Sequence, residues 1–286
     1  MSVDIFDSHR HRLVGIAYGM LGSVDEAEDV VQDAWFRWSS ADRSGILDPV
    51  AYLSTIVTRL SIDRLRSAQV RREQYVGPWL PEPLVRDPAD PADLFADAER
   101  ISMALLVVME RLDPVQRAIM LLRDVFDYDY SEIAEIVGRS KANCRQIAKR
   151  ARDRVGDPDL TPRGASPDDQ RVAELILQAL REGDHETLRE HLAADVVMWS
   201  DGGGKRRAAM QPVYGLERVL TFLRAVSGDG RERGGTADAV LANCQPAIRA
   251  EFEGVVEAVM TLTVRDGLVS SIHVQRNPDK LLRARS

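Results

Sequence analysis

Cysteine and long apolar runs are scarce in this sequence. Its 286 residues include only Cys144 and Cys244, far apart in the chain, which excludes a disulfide framework and a cysteine-based metal site and predicts idle thiols. No stretch reaches the ~18 uninterrupted apolar residues of a membrane-spanning helix, and the N-terminal MSVDIFDSHRHRL lacks the apolar core of a signal peptide. We therefore expect a cytoplasmic protein with no membrane partner.

Positive charge is also in the minority, with 38 Lys and Arg against 45 Asp and Glu, for a net charge of −7. Binding to nucleic acid depends on where cations are concentrated rather than on their total. Two basic stripes, residues 59–72 and 139–154, stand out from the acidic background. A composition with 44% hydrophobic and 29% charged residues is typical of globular domains and excludes disorder for most of the chain.

Hydrophobic periodicity and breaker residues predict a multidomain chain. Apolar residues recur at helical spacing in two segments, and the last third contains alternating and β-branched runs at 196–199, 255–264 and 268–274. Asp266-Gly267 between two of these runs is a strong hairpin signal. The fold class is therefore two all-α domains followed by an α+β domain. The predicted boundaries are 1–75 and 99–155 for the helical domains, 76–98 for a proline-rich linker, 156–168 for a second linker, and 169–286 for the α+β domain.

Residues 131–152, SEIAEIVGRSKANCRQIAKRAR, have the pattern of a helix-turn-helix. Ile133 and Ile136 form an apolar face, Gly138 allows the turn, and Ser140 can cap the second helix. The start of that helix enters the major groove in such units, and cations farther along meet phosphates. The candidate DNA-binding residues here are Arg139, Lys141, Asn143, Arg145, Gln146, Lys149 and Arg150, with Arg152 as a further phosphate contact. The alternative is a solvated basic helix in a bundle.

The first basic stripe carries Arg59, Arg64, Arg66, Arg71 and Arg72. The aromatic residues Trp35, Trp38 and Tyr52 precede it in sequence. Arginines combined with aromatic rings suit melted DNA, because bases stack on the rings while the cations hold the backbone. An aromatic core with a solvated arginine face is an equally good interpretation of this stripe alone.

The order of these blocks resembles the bacterial sigma factors of the extracytoplasmic-function class. LGSVDEAEDVVQDAWFRW is similar to region two, which docks on core RNA polymerase, and DPVAYLSTIVTRLSIDRLRS to the stretch that melts and reads the minus-ten promoter element. Residues from LDPVQRAIML to the helix-turn-helix resemble region four, which reads the minus-thirty-five element. The resemblance implies polymerase docking by Glu28, Asp29, Gln32 and Asp33, and a minus-ten face formed or supported by Arg59, Asp63, Arg64 and Arg66.

The last domain resembles the SnoaL-like fold, a cone of curved sheet and helices around a pocket. A subgroup of these sigma factors carries such an extension, and the short motifs WLPEP, DGGGK and NPDK look like its hallmarks. We predict that the domain regulates by contact with the linker rather than by catalysis, in that an exposed Trp79-Leu80 pair docks on a rim of the cone where DGGGK offers accessible backbone. The candidate regulatory residues are Trp79, Leu80, Pro81, Glu82 and Pro83 in the linker, Asp201, Gly202, Gly203, Gly204 and Lys205 in DGGGK, and Asn277, Pro278, Asp279 and Lys280 in NPDK.

Relatives of the cone fold include enzymes with an acid or base in the pocket, so catalysis is a competing interpretation. Its candidates are Asp195, Asp201, His191 and His273. We expect no catalytic residue, no metal and no cofactor, and leave open an unidentified small molecule in the pocket. The alternative function is a cone-fold sensor or enzyme fused to a DNA-binding region, acting as a one-component regulator without polymerase.

Overall fold

The computed structural model describes residues 2–42, 44–85, 96–156 and 165–284. The chain forms two compact units, the first comprising residues 1–73, 90–101 and 105–162, and the second residues 74–89, 102–104 and 163–286. The start of the predicted proline-rich linker, residues 76–85, thus belongs to the same unit as the α+β domain, as do residues 74 and 75 at the end of the first predicted domain. The rest of that linker at 86–95 and most of the second linker at 157–164 lie outside the described residues, as do the side chains of Arg71 and Arg72.

Helices account for the described secondary structure up to residue 155, as predicted, apart from one isolated β-bridge at Val85. Their bounds are α1 Ser2–Leu21, α2 Val24–Ser40, α3 Pro49–Glu73, α4 Ala96–Glu99, α5 Met103–Met109, α6 Pro114–Asp124, α7 Tyr130–Val137 and α8 Lys141–Val155. Leu13 and Ile16 of α1, Leu53 of α3 and Ile119 of α6 are fully buried. The two predicted helical domains therefore contribute to one compact unit.

Local sequence signals set several of these helix ends. Asp113 and Asp129 each form a capping box at the start of α6 and α7, and Ser140 accepts a hydrogen bond from the Asn143 amide at the start of α8. Gly138 ends α7 in the left-handed conformation, as the turn of a helix-turn-helix requires. Ser23 precedes α2 in an extended conformation, but its side chain makes no capping hydrogen bond.

The second unit combines three helices with a six-stranded mixed sheet, which confirms the predicted α+β class. The helices are α9 Pro167–Glu182, α10 His185–His191 and α11 Leu216–Glu232, and the strands are β1 Leu192–Asp201, β2 Val213–Tyr214, β3 Thr236–Ala242, β4 Gln245–Phe252, β5 Val255–Arg265 and β6 Leu268–Gln275. The strand order is β2-β1-β6-β5-β4-β3, with β1 and β6 parallel and the other neighbours antiparallel. Asp266-Gly267 joins β5 to β6 as predicted, with both residues at positive φ.

The sheet has apolar residues on both faces. Ile176 of α9 and Val219 of α11 belong to the larger core cluster, which also includes strand residues such as Ile272. A smaller cluster joins Ala247 and Val259 of the sheet to Leu281 in the C-terminal segment. Among the described helices, we find none with the length and apolar character needed to cross a membrane.

Candidate nucleic-acid interface and linker clamp

Helices α7 and α8 form the helix-turn-helix. Ile133 and Ile136 of α7 are buried, as are Cys144 and Ala148 of α8, and burial raises the pKa of the Cys144 thiol, which disfavours its reactive thiolate. The remaining side of α8 faces solvent. All seven predicted DNA-binding residues of this unit are exposed: Arg139, Lys141, Asn143, Arg145, Gln146, Lys149 and Arg150. The arrangement can present amides and cations to a DNA groove.

Contacts within the unit position some of these cations. The Lys141 ammonium donates to the Ser131 hydroxyl at 2.6 Å, and the Arg145 guanidinium lies 5.7 Å from the centre of the Tyr130 ring. Arg152, which the sequence suggested as a phosphate contact, instead donates to the Asp124 carboxylate at 2.5 Å. Arg152 therefore supports the packing of α8 against α6.

The arginines of α3 also make intramolecular contacts. Arg59 donates from Nε to the carbonyl of Ile136 at 2.9 Å and from Nη2 to the carbonyl of Glu135 at 3.1 Å, both in the last turn of α7. A cation at this end of a helix is favoured by the helix dipole. Arg64 forms an ion pair with Asp29 of α2 at 3.0 Å. Of the minus-ten candidates, Arg59 thus contacts the helix-turn-helix and Arg64 contacts α2.

Arg66 and Asp63 form an exposed pair one turn apart on α3, with 3.2 Å between Nη1 and Oδ1. An exposed pair of this kind contributes little to stability. Both side chains are consequently accessible to an approaching ligand.

The aromatic residues near the first stripe do not form an open stacking platform. Trp38 is buried and lies 6.0 Å from the ring of Tyr52, and Trp35 makes an edge-on contact with Phe6 at 5.0 Å. These rings pack against other side chains of the helical unit. This arrangement does not provide the exposed ring faces that stacking of melted bases requires. The signal that sequence reasoning underweighted is the helical spacing of Trp35 and Trp38 with the core residues of α2.

Helix α2 presents a polar outer face. Asp29, Gln32 and Asp33 are exposed and Glu28 is half-buried, on the side away from the buried Val30, Val31 and Ala34. Phe36, one turn after Gln32, is 58% exposed. Exposed aromatic side chains with a polar rim are typical of interfaces. Sequence reasoning missed Phe36 because it sits in an otherwise core-like aromatic run.

Further contacts join α1 and α3 to α6 and to the segment that follows it. The Tyr128 hydroxyl lies 2.7 Å from the Ser54 hydroxyl of α3 and accepts a hydrogen bond from Arg12 Nε of α1 at 3.2 Å. Arg12 also donates to the Phe126 carbonyl at 2.8 Å. The buried Arg117 of α6 donates to the Gly19 carbonyl of α1 at 3.1 Å. These bonds, with those of Arg59, hold the helical regions in a closed arrangement.

In the second unit, the three motifs of the predicted regulatory site contact one another around Asp201. This residue ends β1 and is fully buried. Its carboxylate accepts hydrogen bonds from the Leu80 amide at 2.9 Å and from the Lys280 ammonium at 2.8 Å. It also accepts from the Gly203 amide at 2.9 Å. We call the contacts of residues 75–83 with Asp201 and residues 275–280 the linker clamp.

Two residues of the linker clamp were not predicted from the sequence. The Tyr75 hydroxyl donates to Asp201 at 2.7 Å and accepts from the Asn277 side-chain amide at 2.9 Å. Burial and the Asp201 carboxylate both raise the pKa of Tyr75, so the phenol stays protonated and can donate. Gln275 donates to the carbonyls of Leu80 and Pro81, each at 3.2 Å. The only sequence signal for Gln275 was a polar residue at the end of an apolar strand.

The outer part of the linker clamp involves Trp79 and the two charged motifs. The Lys280 ammonium lies 4.1 Å from the centre of the Trp79 ring, a cation–π geometry. Lys205 of DGGGK pairs with Asp279 of NPDK at 2.6 Å, with both side chains more than half exposed. A Cβ at Gly203, which has a φ of +59°, would overlap the Asn277 side chain, so this turn needs glycine.

The sequence-based picture of these motifs needs two corrections. Leu80 is 1% exposed and Pro81, Glu82 and Pro83 are buried, so the linker does not present an exposed Trp-Leu pair. The DGGGK motif acts through the buried carboxylate of Asp201 rather than through accessible backbone. Both errors have the same cause. The linker was interpreted as an isolated segment, and its sequence does not show that the α+β domain covers it.

A cavity of about 490 Å³ opens on the other face of the sheet. Of the four residues considered for catalysis, Asp195, Asp201, His191 and His273, none is among its lining residues. His273 is buried and stacks on Trp199 at 4.9 Å. Burial lowers the pKa of His273 to about 3. In the described part of the chain, no group of three or more His, Cys, Asp or Glu residues is placed to hold a metal ion.

Together, the helix-turn-helix with its exposed basic helix, the polar outer face of α2 and the added α+β domain are the features expected of a DNA-binding transcription protein with a C-terminal extension. Two family models match the chain, Sigma-70 region 2 at residues 5–71 and Sigma-70, region 4 at residues 102–155. Both matches fall within the helical part of the chain.

Known relatives agree with these matches. The chain is 39% identical over 291 residues to the ECF RNA polymerase sigma factor SigJ of Mycobacterium tuberculosis, covering 98% of this chain and 93% of SigJ. The crystal structure of the Mycobacterium tuberculosis extracytoplasmic function sigma factor SigJ matches with a TM-score of 0.78 and 33% identity, covering 98% of each chain. SigG of the same species is 27% identical over 218 residues, covering 67% of this chain and 59% of SigG. The chain belongs to the ECF RNA polymerase sigma factors and is a promoter-specific transcription initiation factor.

Proposed function

We propose that α2 docks the chain on core RNA polymerase, that α3 acts at the minus-ten element, and that α8 reads the minus-thirty-five element. The observation that carries this assignment is the exposed polar face of α8, which offers Asn143, Arg145 and Gln146 near the start of a recognition helix. Asp29, Gln32 and Asp33 supply an exposed face on α2. A factor that works with polymerase on DNA acts in the cytoplasm.

The C-terminal domain modulates initiation through the linker clamp rather than through chemistry. Asp201 is a buried carboxylate whose hydrogen bonds come from the linker, from its own turn and from the C-terminal segment. Removing one partner of a buried ion pair is costly because the other charge is left uncompensated. The clamp therefore strongly favours one path for the linker.

That path matters because the clamp begins two residues along the chain from the end of α3, the helix assigned to the minus-ten element. Helix α3 ends at Glu73, and Tyr75 already donates to Asp201. The segment that leads from α3 towards the helix-turn-helix is thus held by the cone domain over residues 75–83. A contact that favours one arrangement of a linker shifts the population of states that the linked elements can reach.

The titratable groups of the cone domain support a non-enzymatic role. His191 and His273 are both outside the cavity lining, and Nδ1 of His191 makes a local contact with the Thr187 carbonyl at 2.9 Å. Glu251 and Glu257 do line the cavity, but both have arginine neighbours. Arg249 lies 3.5 Å from Glu251, and the hydrogen bond of Arg233 lowers the pKa of Glu257 and makes it a poor proton donor or base. General acid–base catalysis needs a group with a pKa near the working pH within reach of a bound substrate.

The test is run-off transcription by core polymerase with the full chain, without any added small molecule. The variants Asp201→Ala and Trp79→Ala remove the centre and the outer part of the linker clamp, and we expect each to change the amount of specific transcript. Asp195→Ala is the matched control, because Asp195 lies on the same strand but is exposed. Equal activity of all three variants and the wild-type protein would contradict modulation by contact.

A further inference from the structure

The cavity of the α+β domain has an apolar floor. Its volume is about 490 Å³, within the usual range for small-molecule sites. The floor is formed mainly by aliphatic and aromatic side chains from both helices and sheet, including Leu177, Phe222, Ile248, Met260 and Val274. Such a lining favours the apolar body of a ligand, because its burial removes hydrocarbon surface from water.

Charged groups around this floor are mostly guanidinium groups. The described lining residues include three arginines and two carboxylates, namely Arg181, Arg233 and Arg276 against Glu251 and Glu257. The pKa of Glu257 is lowered chiefly by its hydrogen bond with Arg233, so this carboxylate is ionised and accepts two bonds of 2.9 Å from that guanidinium.

Neighbouring cations also offset the two carboxylates. Glu251 lies 3.5 Å from Arg249, which also pairs with Asp238 at 3.0 Å, and Glu257 lies 3.5 Å from Arg206. These neighbours bring the count to five guanidinium groups and three carboxylates. The local balance is therefore positive, which favours an anion.

Arg181 is the rim cation best placed to meet such an anion. It lies in the last turn of α9, is exposed, and donates from Nη2 to the backbone carbonyl of Ala237. A guanidinium has five N–H donors, so a contact to one carbonyl leaves donors for a carboxylate. The same residue thus borders both the apolar floor and the solvent.

This cavity is separate from the linker clamp. Side chains alternate between the faces of a strand, and along the end of β6 Val274 lines the cavity whereas Gln275 bonds the linker carbonyls. Arg276 follows and again lines the cavity. The cavity is consequently open while the clamp is engaged.

We propose that the cavity binds an apolar molecule carrying a single carboxylate, with its hydrocarbon part on the floor and its carboxylate at Arg181. This proposal goes beyond the promoter-recognition function and does not depend on it. Binding can be measured on the full chain without polymerase or DNA, so failure of either claim is distinguishable from failure of the other.

The probes are decanoate, decanol and decylamine, which share a ten-carbon chain and differ in charge, and calorimetric titration gives each dissociation constant. Because the decanoate carboxylate can form a charge-assisted hydrogen bond with Arg181, we expect decanoate to bind about tenfold or more tightly than decanol. Decylamine should bind most weakly of the three. Arg181→Gln should reduce decanoate affinity to that of decanol. Arg224→Gln removes an exposed cation of α11 that does not line the cavity, and should leave all three affinities unchanged.

A cavity-filling variant tests the location. Ala258→Phe places a ring in the cavity and should weaken decanoate binding at least tenfold, whereas Ala239→Phe at an exposed position of β3 outside the lining should not. Far-ultraviolet circular dichroism checks that both variants keep their fold. Absence of decanoate binding, equal affinity for decylamine, or undiminished binding by a folded Ala258→Phe protein would each overturn the proposal.

Discussion

At the scale of single residues, Asp201 has the largest predicted effect on stability. Its carboxylate is fully buried and pairs with Lys280, whose side chain is 14% exposed. Asp201→Asn keeps the shape but leaves the Lys280 ammonium without its counter-charge, and we expect a loss of about 3 kcal/mol in the free energy of unfolding. Urea unfolding followed by circular dichroism measures it.

The exposed pair of Lys205 and Asp279 supplies the control for that measurement, since both side chains are more than half exposed. Lys205→Ala should cost less than about 1 kcal/mol. Similar losses for the two variants would show that the burial of Asp201 does not have the predicted effect.

His273 gives the molecule a predicted pH dependence. Burial lowers its pKa to about 3 in the folded state, whereas an unfolded histidine has a pKa of about 6.5. Between these values the unfolded chain binds a proton that the folded chain does not, so stability falls as the pH drops below about 6.5.

From pH 7 to pH 5 this histidine should contribute a loss of roughly 2 kcal/mol. His273→Gln removes the titration, and thermal unfolding at both pH values compares the two proteins. An equal loss in the variant would place the acid sensitivity on other groups.

At the scale of elements, we predict that different residues of α8 contact the bases and the phosphates. Arg145 lies near the start of the helix and Lys149 one turn farther on, both exposed. If Arg145 makes a bidentate base contact, Arg145→Ala should weaken binding to the cognate upstream element by about 1–3 kcal/mol. Lys149→Ala should weaken binding to every duplex alike. Fluorescence anisotropy with cognate and scrambled duplexes separates the two effects, and equal losses on both duplexes for Arg145→Ala would exclude base reading.

The same elements show how far sequence reasoning extends. The helix-turn-helix and the β5–β6 hairpin depend on short-range signals, Gly138 and Asp266-Gly267, and both were predicted correctly. Asp201, in contrast, has partners that are distant in the chain: Tyr75 and Leu80 lie more than a hundred residues away and Lys280 lies 79 residues away. A resemblance could group the three motifs, but it could not show that the carboxylate is buried, because burial depends on tertiary packing.

At the scale of the whole molecule, the closed arrangement of the helical unit must open on a promoter. The minus-ten and minus-thirty-five elements are named for positions about 25 base pairs apart. At about 3.4 Å per base pair, these positions lie roughly 85 Å apart along the DNA. Arg59, a minus-ten candidate, instead donates to the last turn of α7 within 3.1 Å. Both elements therefore cannot be read while these hydrogen bonds persist.

Fluorescent labels at Asp63→Cys and Glu135→Cys, two exposed positions on α3 and α7, report this opening. Energy transfer should be efficient in the free protein and fall strongly when core polymerase and promoter DNA are added. Unchanged transfer in an active initiation complex would contradict the required opening.

The most direct test of the account is transcription by core polymerase carrying the triple variant Asp29→Ala, Gln32→Ala and Asp33→Ala. These side chains are exposed on α2, so their removal should leave the helical content unchanged. The account predicts that the wild-type chain co-purifies with core polymerase and yields a promoter-specific transcript, and that the triple variant loses both. A folded triple variant that retains full transcription would contradict it.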